Sequence, residues 1–421
     1  MKKVFQKVTS ISHNKEAKTL IGNFAWLSSL QIAGYVFPLI TMPYLARVIG
    51  VIGFGKIALA SAIMVWIQTI ADWGFNFTAT RDVAQNRDNY QKVSEIFSNV
   101  LWARCLLMIL SFFILCLLVL FIPTFRKDAD VIFITFLMIP GHILFPDWFF
   151  QAIERMKYIT ILNVLMKFIF TIAVFIFIKN KTDYILQPLF TSLGYVVSGI
   201  IALYIILVKW RIKLVRPSIR SILNSIKKST DVFINNLMPN LYNSFSVMLL
   251  GMYAGSTANG IFDGGNKFIN ICYQLLMIFS RTFFPFLSRR IDKHKTYAIL
   301  NMGVAFIMAS VLYIFSPFIV RAMLSCEFAN SVYVLRIMAV SLVFLAISNT
   351  YGTNYLIIEH HEQTLRNLTA FSAIIGFAIA WPLIYYYTYI GAALTIVIGR
   401  MLLGMTSFVA AKYYMKKNSL A

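Results

Sequence analysis

Charged and amide side chains interrupt a segment that is otherwise apolar enough to cross a membrane. The segment is NKFINICYQLLMIFSRTFFPF, residues 266–286, and it contains Lys267, Asn270, Gln274 and Arg281. At about 100° per residue, these side chains fall within roughly 60° of one another on a helix. They form a polar stripe that is expected to face protein or water, and its two cations are suited to an anionic ligand.

Three other apolar segments carry polar stripes, which are Thr160, Asn163, Lys167 and Thr171; Ser61, Gln68 and Asp72; and Asn236, Asn240 and Asn243. Lys167 lies near mid-depth, where a lysine costs about 2.5–3.5 kcal/mol to insert, and Arg400 is also placed in mid-span. For the amides and hydroxyls, hydrogen bonds between helices are the favoured interpretation. For Lys167 and Arg400, a water-filled cavity is favoured over private pairing.

Charged residues closer to the span ends have another explanation, because their long side chains can extend to the membrane surface. This alternative stays open for Asp72, Arg104, Asp147, Lys267, Arg281 and Arg336. The predicted spans contain six cations and four acids, and the cations are Arg104, Lys167, Lys267, Arg281, Arg336 and Arg400. A cavity lined in this way favours an anion such as a phosphate or diphosphate.

The composition indicates an all-α polytopic membrane protein. Of the 421 residues, 59% are hydrophobic and 13% charged, a balance unsuited to a soluble chain. The net charge of +22 is assigned to short loops between spans rather than to nucleic-acid binding, so no nucleic-acid partner is predicted. The four cysteines are expected to be small apolar residues. Residues 1–20 are polar and basic, so no cleavable signal peptide is expected.

The hydropathy pattern predicts about twelve transmembrane helices around a central cavity. Their approximate ranges are 22–46, 56–75, 98–123, 130–151, 157–178, 184–208, 231–254, 262–286, 297–320, 332–358, 366–386 and 389–411. With a cytoplasmic N-terminus, 25 of the 38 basic residues fall on the cytoplasmic side and seven on the other, which predicts that both termini are cytoplasmic. The basic segment 209–229, which could form an amphipathic surface helix, separates a six-helix lobe at 1–208 from another at 230–421.

Motifs of enzymatic chemistry are missing from the sequence. It contains no P-loop, HExxH, GxSxG or paired-cysteine motif. His360 and His361 are interpreted as a solvated loop pair rather than a metal site. No loop is long enough for a catalytic domain, so a protein that is not an enzyme and uses no cofactor or metal is expected.

Three stretches resemble the polysaccharide-exporter family, the Wzx-type O-antigen flippases. FPDWFFQAIERMKYITILN (145–163) is similar to the family's junction of spans four and five, through Asp147, Trp148, Gln151, Glu154, Lys157 and Tyr158. PYLARVIGVIGFGKIALASAI (43–63) resembles its first hairpin, and DWGFNFTATRDVAQNRDN (72–89) its first cytoplasmic loop. In the second half, the resemblance consists mainly of the span count and the FFPFLSRR ending of span eight.

The resemblance implies two six-helix lobes that open to one side of the bacterial inner membrane at a time. It implies movement of an undecaprenyl-diphosphate-linked oligosaccharide to the periplasmic leaflet, with polymerase and chain-length proteins as further partners. The substrate-binding candidates are then Arg104, Lys167, Lys267, Arg281 and Arg400 for anionic groups, and Asn240 and Asn243 for sugar hydroxyls.

Coupling to protons or sodium is suspected across the superfamily, and Asp72 and Asp147 are the candidate acids. Arg81 and Arg87 are candidates for a cytoplasmic gate, although a solvated, self-paired loop is the favoured interpretation. Two rival functions stay open. A glycan polymerase or ligase would usually need a larger outer loop than this chain has. A drug or cation antiporter of the same superfamily would prefer acids to the bases found in these spans.

Overall fold

The computed structural model describes residues 15–420, and every regular element in that range is helical. The all-α class and the multi-pass character are thereby confirmed. Residues 1–14, which include three of the basic residues of the N-terminal segment, lie outside the described residues.

The first helices form a tight hairpin. Helix α1 spans Lys15–Val48 and includes Pro38 and Pro43, and α2 spans Gly50–Asp72. The turn between them requires Gly50, whose φ is +67°. We call the end of the bundle that contains this turn the distal end. Helices α3 and α4 follow at Phe75–Gln85 and Tyr90–Phe121, and Asn89 caps α4 by accepting a hydrogen bond from the Lys92 amide.

The fourth pass is a series of short helices. These are α5 (Pro123–Lys127), α6 (Ala129–Phe136), α7 (Met138–Leu144) and α8 (Asp147–Ala152). Helix α9 spans Met156–Phe177, a 3₁₀ turn follows at Lys181–Ile185, and α10 spans Leu186–Tyr204 before a π-helical turn at Ile205–Lys209.

The predicted linker contains the start of a helix. Helix α11 spans Ile219–Leu237, is capped by Ser218, and continues into the segment predicted as span seven. It packs against the first half of the chain, where the buried Ser229 hydroxyl hydrogen-bonds the Thr78 hydroxyl at 2.7 Å. The amphipathic helix is therefore present, but it ends inside the bundle.

The remaining helices are long and interrupted. Helix α12 spans Asn243–Leu287 and is broken at Gly255, whose φ is +76°. Helices α13 and α14 span His294–Met323 and Ser331–Ile347, and a π-helical segment, Ser348–Leu356, follows α14. Helix α15 spans Glu362–Leu420 and has a non-helical residue at Thr388.

Nine helices of the described range 15–420 are long and apolar enough to cross a membrane. Glu362–Lys417 is one of them, although its 56 residues and its break are sufficient for two passes. Helix α12 is not among the nine. The count of twelve spans and the division into lobes at 209–229 therefore stay predictions.

Helices α2 and α12 approach one another unusually closely near the distal end. A Cβ atom on Gly55 would lie 1.7 Å from the Ser256 carbonyl oxygen, and one on Gly260 would lie 2.0 Å from the Val51 carbonyl oxygen. No larger residue fits at either position without separating the helices. This contact joins the two halves of the chain and leaves space between the same helices farther from the distal end.

Candidate functional site

Two adjoining cavities lie between the helices. The main cavity, of about 610 Å³, is bounded by α2, α12, α15 and the π-helical segment after α14. The side cavity, of about 310 Å³, is bounded by α1, α9 and α10. Gln187 and Lys267 line both, so the two spaces meet at these side chains.

Lys267 lies where the two cavities join. Its amine forms an ion pair with Asp263, one turn earlier on α12, at 3.1 Å. The amine also lies 3.8 Å from the centre of the Phe54 ring on α2. The side chain keeps 39% of its surface exposed, so it can contact a ligand without leaving its partners.

Arg400 is buried in the wall of the main cavity, with 8% of its surface exposed. Its Nη1 donates a hydrogen bond to the Ser341 hydroxyl at 2.8 Å, and its guanidinium lies 5.4 Å from the centre of the Tyr273 ring. No carboxylate lies within ion-pair distance of Arg400 in the part of the chain that the structure describes. A buried cation of this kind is available to an anion.

Lys167 lines the side cavity from α9. Its amine lies beside α1, where a Cβ atom on Gly34 would be 3.3 Å from Nζ. Between residues 15 and 420 it has no ion pair and donates no hydrogen bond. The cation predicted at mid-depth is therefore directed toward a cavity and lacks a partner.

Amide side chains surround the cations of the main cavity. Asn243 lines it, although its Nδ2 donates to the Pro239 carbonyl oxygen at 2.9 Å. Asn266, Asn270 and Asn349 also line it, and the buried Nδ2 of Asn349 has no hydrogen-bond partner among residues 15–420. These groups can donate to and accept from hydroxyl groups of a ligand.

Asn240 does not line either cavity. It belongs to a short 3₁₀ turn, Met238–Leu241, and its Nδ2 donates to the Thr69 hydroxyl at 3.1 Å. This contact connects α2 with the segment that precedes α12. In this conformation Asn240 cross-links helices, which is the favoured interpretation of the asparagine stripe.

Arg104 also lies away from the two cavities. It is 2% exposed and pairs with Asp72 on α2, while its Nε and Nη1 are buried without a hydrogen-bond partner. Asp147 lies within electrostatic range of this pair, and its Oδ1 accepts a hydrogen bond from the Trp148 amide at 2.8 Å. Both candidate coupling acids therefore surround one buried arginine, which in this conformation is held by an acid rather than presented to a ligand.

Arg281 lies beyond the cavity end of its stripe. Its side chain is exposed, it is not among the residues lining either cavity, and its charge acts on the Tyr35 side chain of α1. Arg281 therefore lies outside both cavities and within electrostatic range of α1.

Each of the two gate candidates pairs with an acid. Arg81 contacts its neighbour Asp82 at 3.1 Å, so it is self-paired as expected, but in helix α3 rather than in a loop. Arg87 pairs with Glu154 in the loop before α9 at 2.9 Å and donates to the Ala152 carbonyl oxygen at 3.1 Å. The hydrogen bond from Arg87 lowers the pKa of the Glu154 carboxyl below its ordinary value.

Contacts between the two halves close the distal end. The Glu327 carboxylate pairs with the Lys181 amine at 2.7 Å and accepts a hydrogen bond from the Val51 amide at 2.9 Å. The Phe54 and Phe328 rings meet edge to face, with centres 5.4 Å apart. We call these five residues the distal seal. The hydrogen bond from Lys181 and that from Val51 lower the pKa of the Glu327 carboxyl.

Several cavity residues were missed by the sequence analysis as candidates, among them Gln187, Asn266, Tyr273 and Asn349. On α12, Asp263, Lys267, Asn270 and Tyr273 line the cavity at intervals of three and four residues. This spacing is present in the sequence. Because the predicted stripe included Gln274 and Arg281, it was centred on a different side of the helix from the one that lines the cavity. Gln187 and Asn349 carried no such signal.

The fold and cavities define a multi-pass membrane protein with a cationic, amide-lined interior, as expected of a transporter. The family model described as polysaccharide biosynthesis protein matches residues 20–291, and the chain belongs to this family. It is 26% identical over 393 residues to an Escherichia coli (strain K12) protein named "Putative O-antigen transporter", covering 91% of this chain and 94% of that protein. A Shigella dysenteriae protein of the same name is also 26% identical, with 93% and 99% covered.

Solved structures share the fold at low identity. The lipid II flippase MurJ, in an inward closed conformation, superposes with a TM-score of 0.72 at 13% identity, covering 93% of this chain and 87% of that one. A MATE protein in the bent conformation gives a TM-score of 0.59 at 15% identity, covering 98% and 99%. The resemblance in fold to these transporters is thereby confirmed.

Proposed function

We propose that the protein is a flippase that moves a lipid-linked oligosaccharide across the bacterial inner membrane by alternating access. The observation that carries this proposal is the pair of joined cavities. Among the described residues, three cations, Lys167, Lys267 and Arg400, and one acid, Asp263, line these cavities. The family membership and the transporter relatives support the same function.

The charges of the cavities suit a diphosphate. Three cations and one acid leave an excess of two positive charges, and a diphosphate with both ends substituted carries one negative charge on each phosphate. In a site of low dielectric, such a pairing is much stronger than in water. Charge-assisted hydrogen bonds from lysine and arginine also fit phosphate oxygens geometrically.

The remaining lining suits sugars. Asn243, Asn266, Asn270 and Asn349 provide donors and acceptors at the wall of the main cavity, and Tyr242 and Tyr273 provide ring faces. The volume of about 610 Å³ is typical of pockets for small ligands. We infer that the diphosphate occupies the junction at Lys267 and that sugars extend into the main cavity.

Transport requires the distal seal to open. With both termini cytoplasmic, the distal end faces the periplasm, and the conformation described here is the one that receives substrate from the cytoplasm. Separation of Phe54 from Phe328 and of Lys181 from Glu327 would then release the head group outside. We propose coupling through the Asp72–Arg104 pair and Asp147, and a cytoplasmic gate at Arg81 and Arg87. Polymerase and chain-length proteins are the proposed partners.

The test is made in the bacterium that carries the gene. Deletion is expected to remove surface polysaccharide from gels and to trap lipid-linked units on the cytoplasmic side. Wild type restores the polysaccharide, whereas Lys167→Met, at equal protein level, does not. Lys179→Met is the matched control, because Lys179 lies just beyond the same helix, is exposed, and lines neither cavity.

One outcome would reject the proposal. If units still reach the periplasmic face in the deletion strain and are polymerised there, translocation is not the function of this protein. An antiporter of the same superfamily would then be tested with a cationic dye, which should bind the purified protein in competition with protons. An enzyme acting on the same lipid carrier would be revealed by a change in the chemical structure of the trapped units.

A further inference from the structure

An apolar groove runs along the outside of the bundle between α1 and α9. Its volume is about 640 Å³, and the residues that line it are Trp26, Ser29, Ile32, Ala33, Val36, Phe37, Thr160, Ile161, Val164, Leu165 and Phe168. Ile32, Leu165 and Phe168 expose 61%, 48% and 52% of their surface. The groove therefore faces the hydrocarbon of the membrane.

The hydroxyls of the groove are already satisfied. The Ser29 hydroxyl donates to the Ala25 carbonyl oxygen at 2.9 Å, and the Thr160 hydroxyl donates to the Trp26 carbonyl oxygen at 2.8 Å. No unpaired donor or acceptor of these two residues is left to bind a polar ligand. The groove is thus suited to a hydrocarbon chain.

The groove adjoins the cationic side cavity. Phe37 lines both spaces, and its ring meets that of Phe168 edge to face, with centres 6.5 Å apart. Lys167 precedes Phe168 on α9 and directs its amine toward Gly34, next to Ala33 of the groove. A cation and an apolar channel therefore meet at one point, separated by two rings.

Helix α1 has a feature that allows this point to open. Pro38 follows Phe37 and lines the side cavity, and a proline within a helix removes one backbone hydrogen bond. The helix can therefore bend at Phe37, and separation of the two rings would connect cavity and groove.

We propose that the groove binds the polyprenyl tail of the substrate while its diphosphate is held by Lys167 and Lys267. This inference rests on the proposed flippase function and specifies where the tail leaves the protein, within the first half of the chain. The occupant is assigned by adjacency, because one molecule with an anionic head and a hydrocarbon chain would fill both spaces once the ring pair separates.

The direct test is crosslinking in reconstituted vesicles of phosphatidylethanolamine and phosphatidylglycerol. The probe is undecaprenyl diphosphate with a diazirine near the diphosphate-proximal end of its chain. Crosslinks are expected within 32–37 and 161–168, and excess unlabelled undecaprenyl diphosphate should remove them. Crosslinks that a matched excess of phosphatidylglycerol removes equally well would mean that the groove holds ordinary lipid. Crosslinks at Arg281 and its neighbours on α12 would place the tail between the halves instead.

A groove-filling variant tests the role in transport. Ala33→Trp should reduce translocation of the undecaprenyl-linked unit by about tenfold while leaving a short-prenyl analogue within about twofold. Ile40→Trp is the control, because Ile40 is exposed on the same helix and does not line the groove. Equal loss for both chain lengths, or no loss for either, would overturn the groove assignment. Movement of either substrate by wild type would still support the flippase function, whereas movement of neither would reject it.

Discussion

The replacement Arg400→Met separates a binding role for Arg400 from a structural one. Arg400 is almost fully buried, and its described contacts are one hydrogen bond to Ser341 and a ring contact with Tyr273. Burying a charge costs several kcal/mol after relaxation. A hydrogen bond to a charged group returns about 1.5–3 kcal/mol, and a cation–π contact returns up to about 2 kcal/mol. The empty protein therefore gains little or nothing from this cation.

Two opposite effects follow. Methionine fills a similar volume without charge, so the free energy of unfolding should stay equal or rise by about 1 kcal/mol, which in a chain of 421 residues raises Tm by about 1 °C at most. Loss of a charge-assisted contact with the diphosphate should weaken substrate binding by about ten- to 150-fold. The measurements are thermal unfolding in detergent, binding of undecaprenyl diphosphate, and surface polysaccharide in the complemented deletion strain.

Arg336 provides a matched control. It donates a hydrogen bond from Nε to the Ser316 hydroxyl at 2.9 Å and lies 5.5 Å from the Tyr313 ring, so it has the same two kinds of contact as Arg400 but is half-buried and lies away from both cavities. Arg336→Met should leave substrate binding within about twofold. If Arg400→Met lowers Tm by several degrees and polysaccharide is normal, Arg400 is a structural cross-link and the charge argument is wrong.

Three further predictions concern pairing and closure. Arg104→Met alone should lower the stability of the protein by up to about 3 kcal/mol, because the half-buried Asp72 loses its ion-pair partner, and Asp72→Asn combined with it should recover much of that loss in thermal unfolding. Gly55→Ala should prevent α2 and α12 from meeting and so increase labelling of an engineered cavity cysteine from the distal side; unchanged labelling would show that closure does not depend on this contact. Because hydrogen bonds from Lys181 and Val51 lower the pKa of Glu327, the contribution of Glu327 to the distal seal should be complete at neutral pH and lost as pH falls through the lowered pKa, below the ordinary value of 4.5. The ratio of distal labelling in wild type to that in Glu327→Gln, which cancels the pH dependence of the cysteine thiol itself, should then rise toward one as pH falls.

The helical class and membrane location could be predicted from the sequence because they depend on hydropathy over long windows. Both interruptions fall between predicted spans, Gly255 between 231–254 and 262–286 and Thr388 between 366–386 and 389–411. What the hydropathy pattern did not predict is that the helix continues on both sides of each break. Helix α11 extends from the polar linker into the bundle because Ser229 and its neighbours pack against the first half, which is a tertiary contact.

The orientation of a stripe was predictable only approximately. Lys267 and Asn270 face the main cavity as expected, whereas Arg281 lies outside it. A helix that touches several neighbours takes its rotation from the closest of them, and α12 is fixed on α2 by Gly260. The stripe inferred from polarity alone therefore includes Lys267 and Asn270, which line the cavity, and Arg281, which lies outside it.

The buried cations differ in whether a carboxylate lies beside them, and this difference cannot be read from the sequence. Arg104 and Arg400 both occur within apolar spans, and nothing in their neighbouring residues separates them. Asp72 lies 32 residues before Arg104 on another helix, so its pairing depends on how the helices pack. Arg400 meets only a hydroxyl and a ring on its neighbours. An unpaired buried cation raises the energy of the empty protein, and the same cation is the one from which an anionic ligand gains most. We therefore expect substrate affinity to depend on whether a buried cation lacks a carboxylate partner, rather than on the number of cations in the spans. Placing an acid beside Arg400, as in Ser341→Asp, should then abolish binding while stabilising the fold.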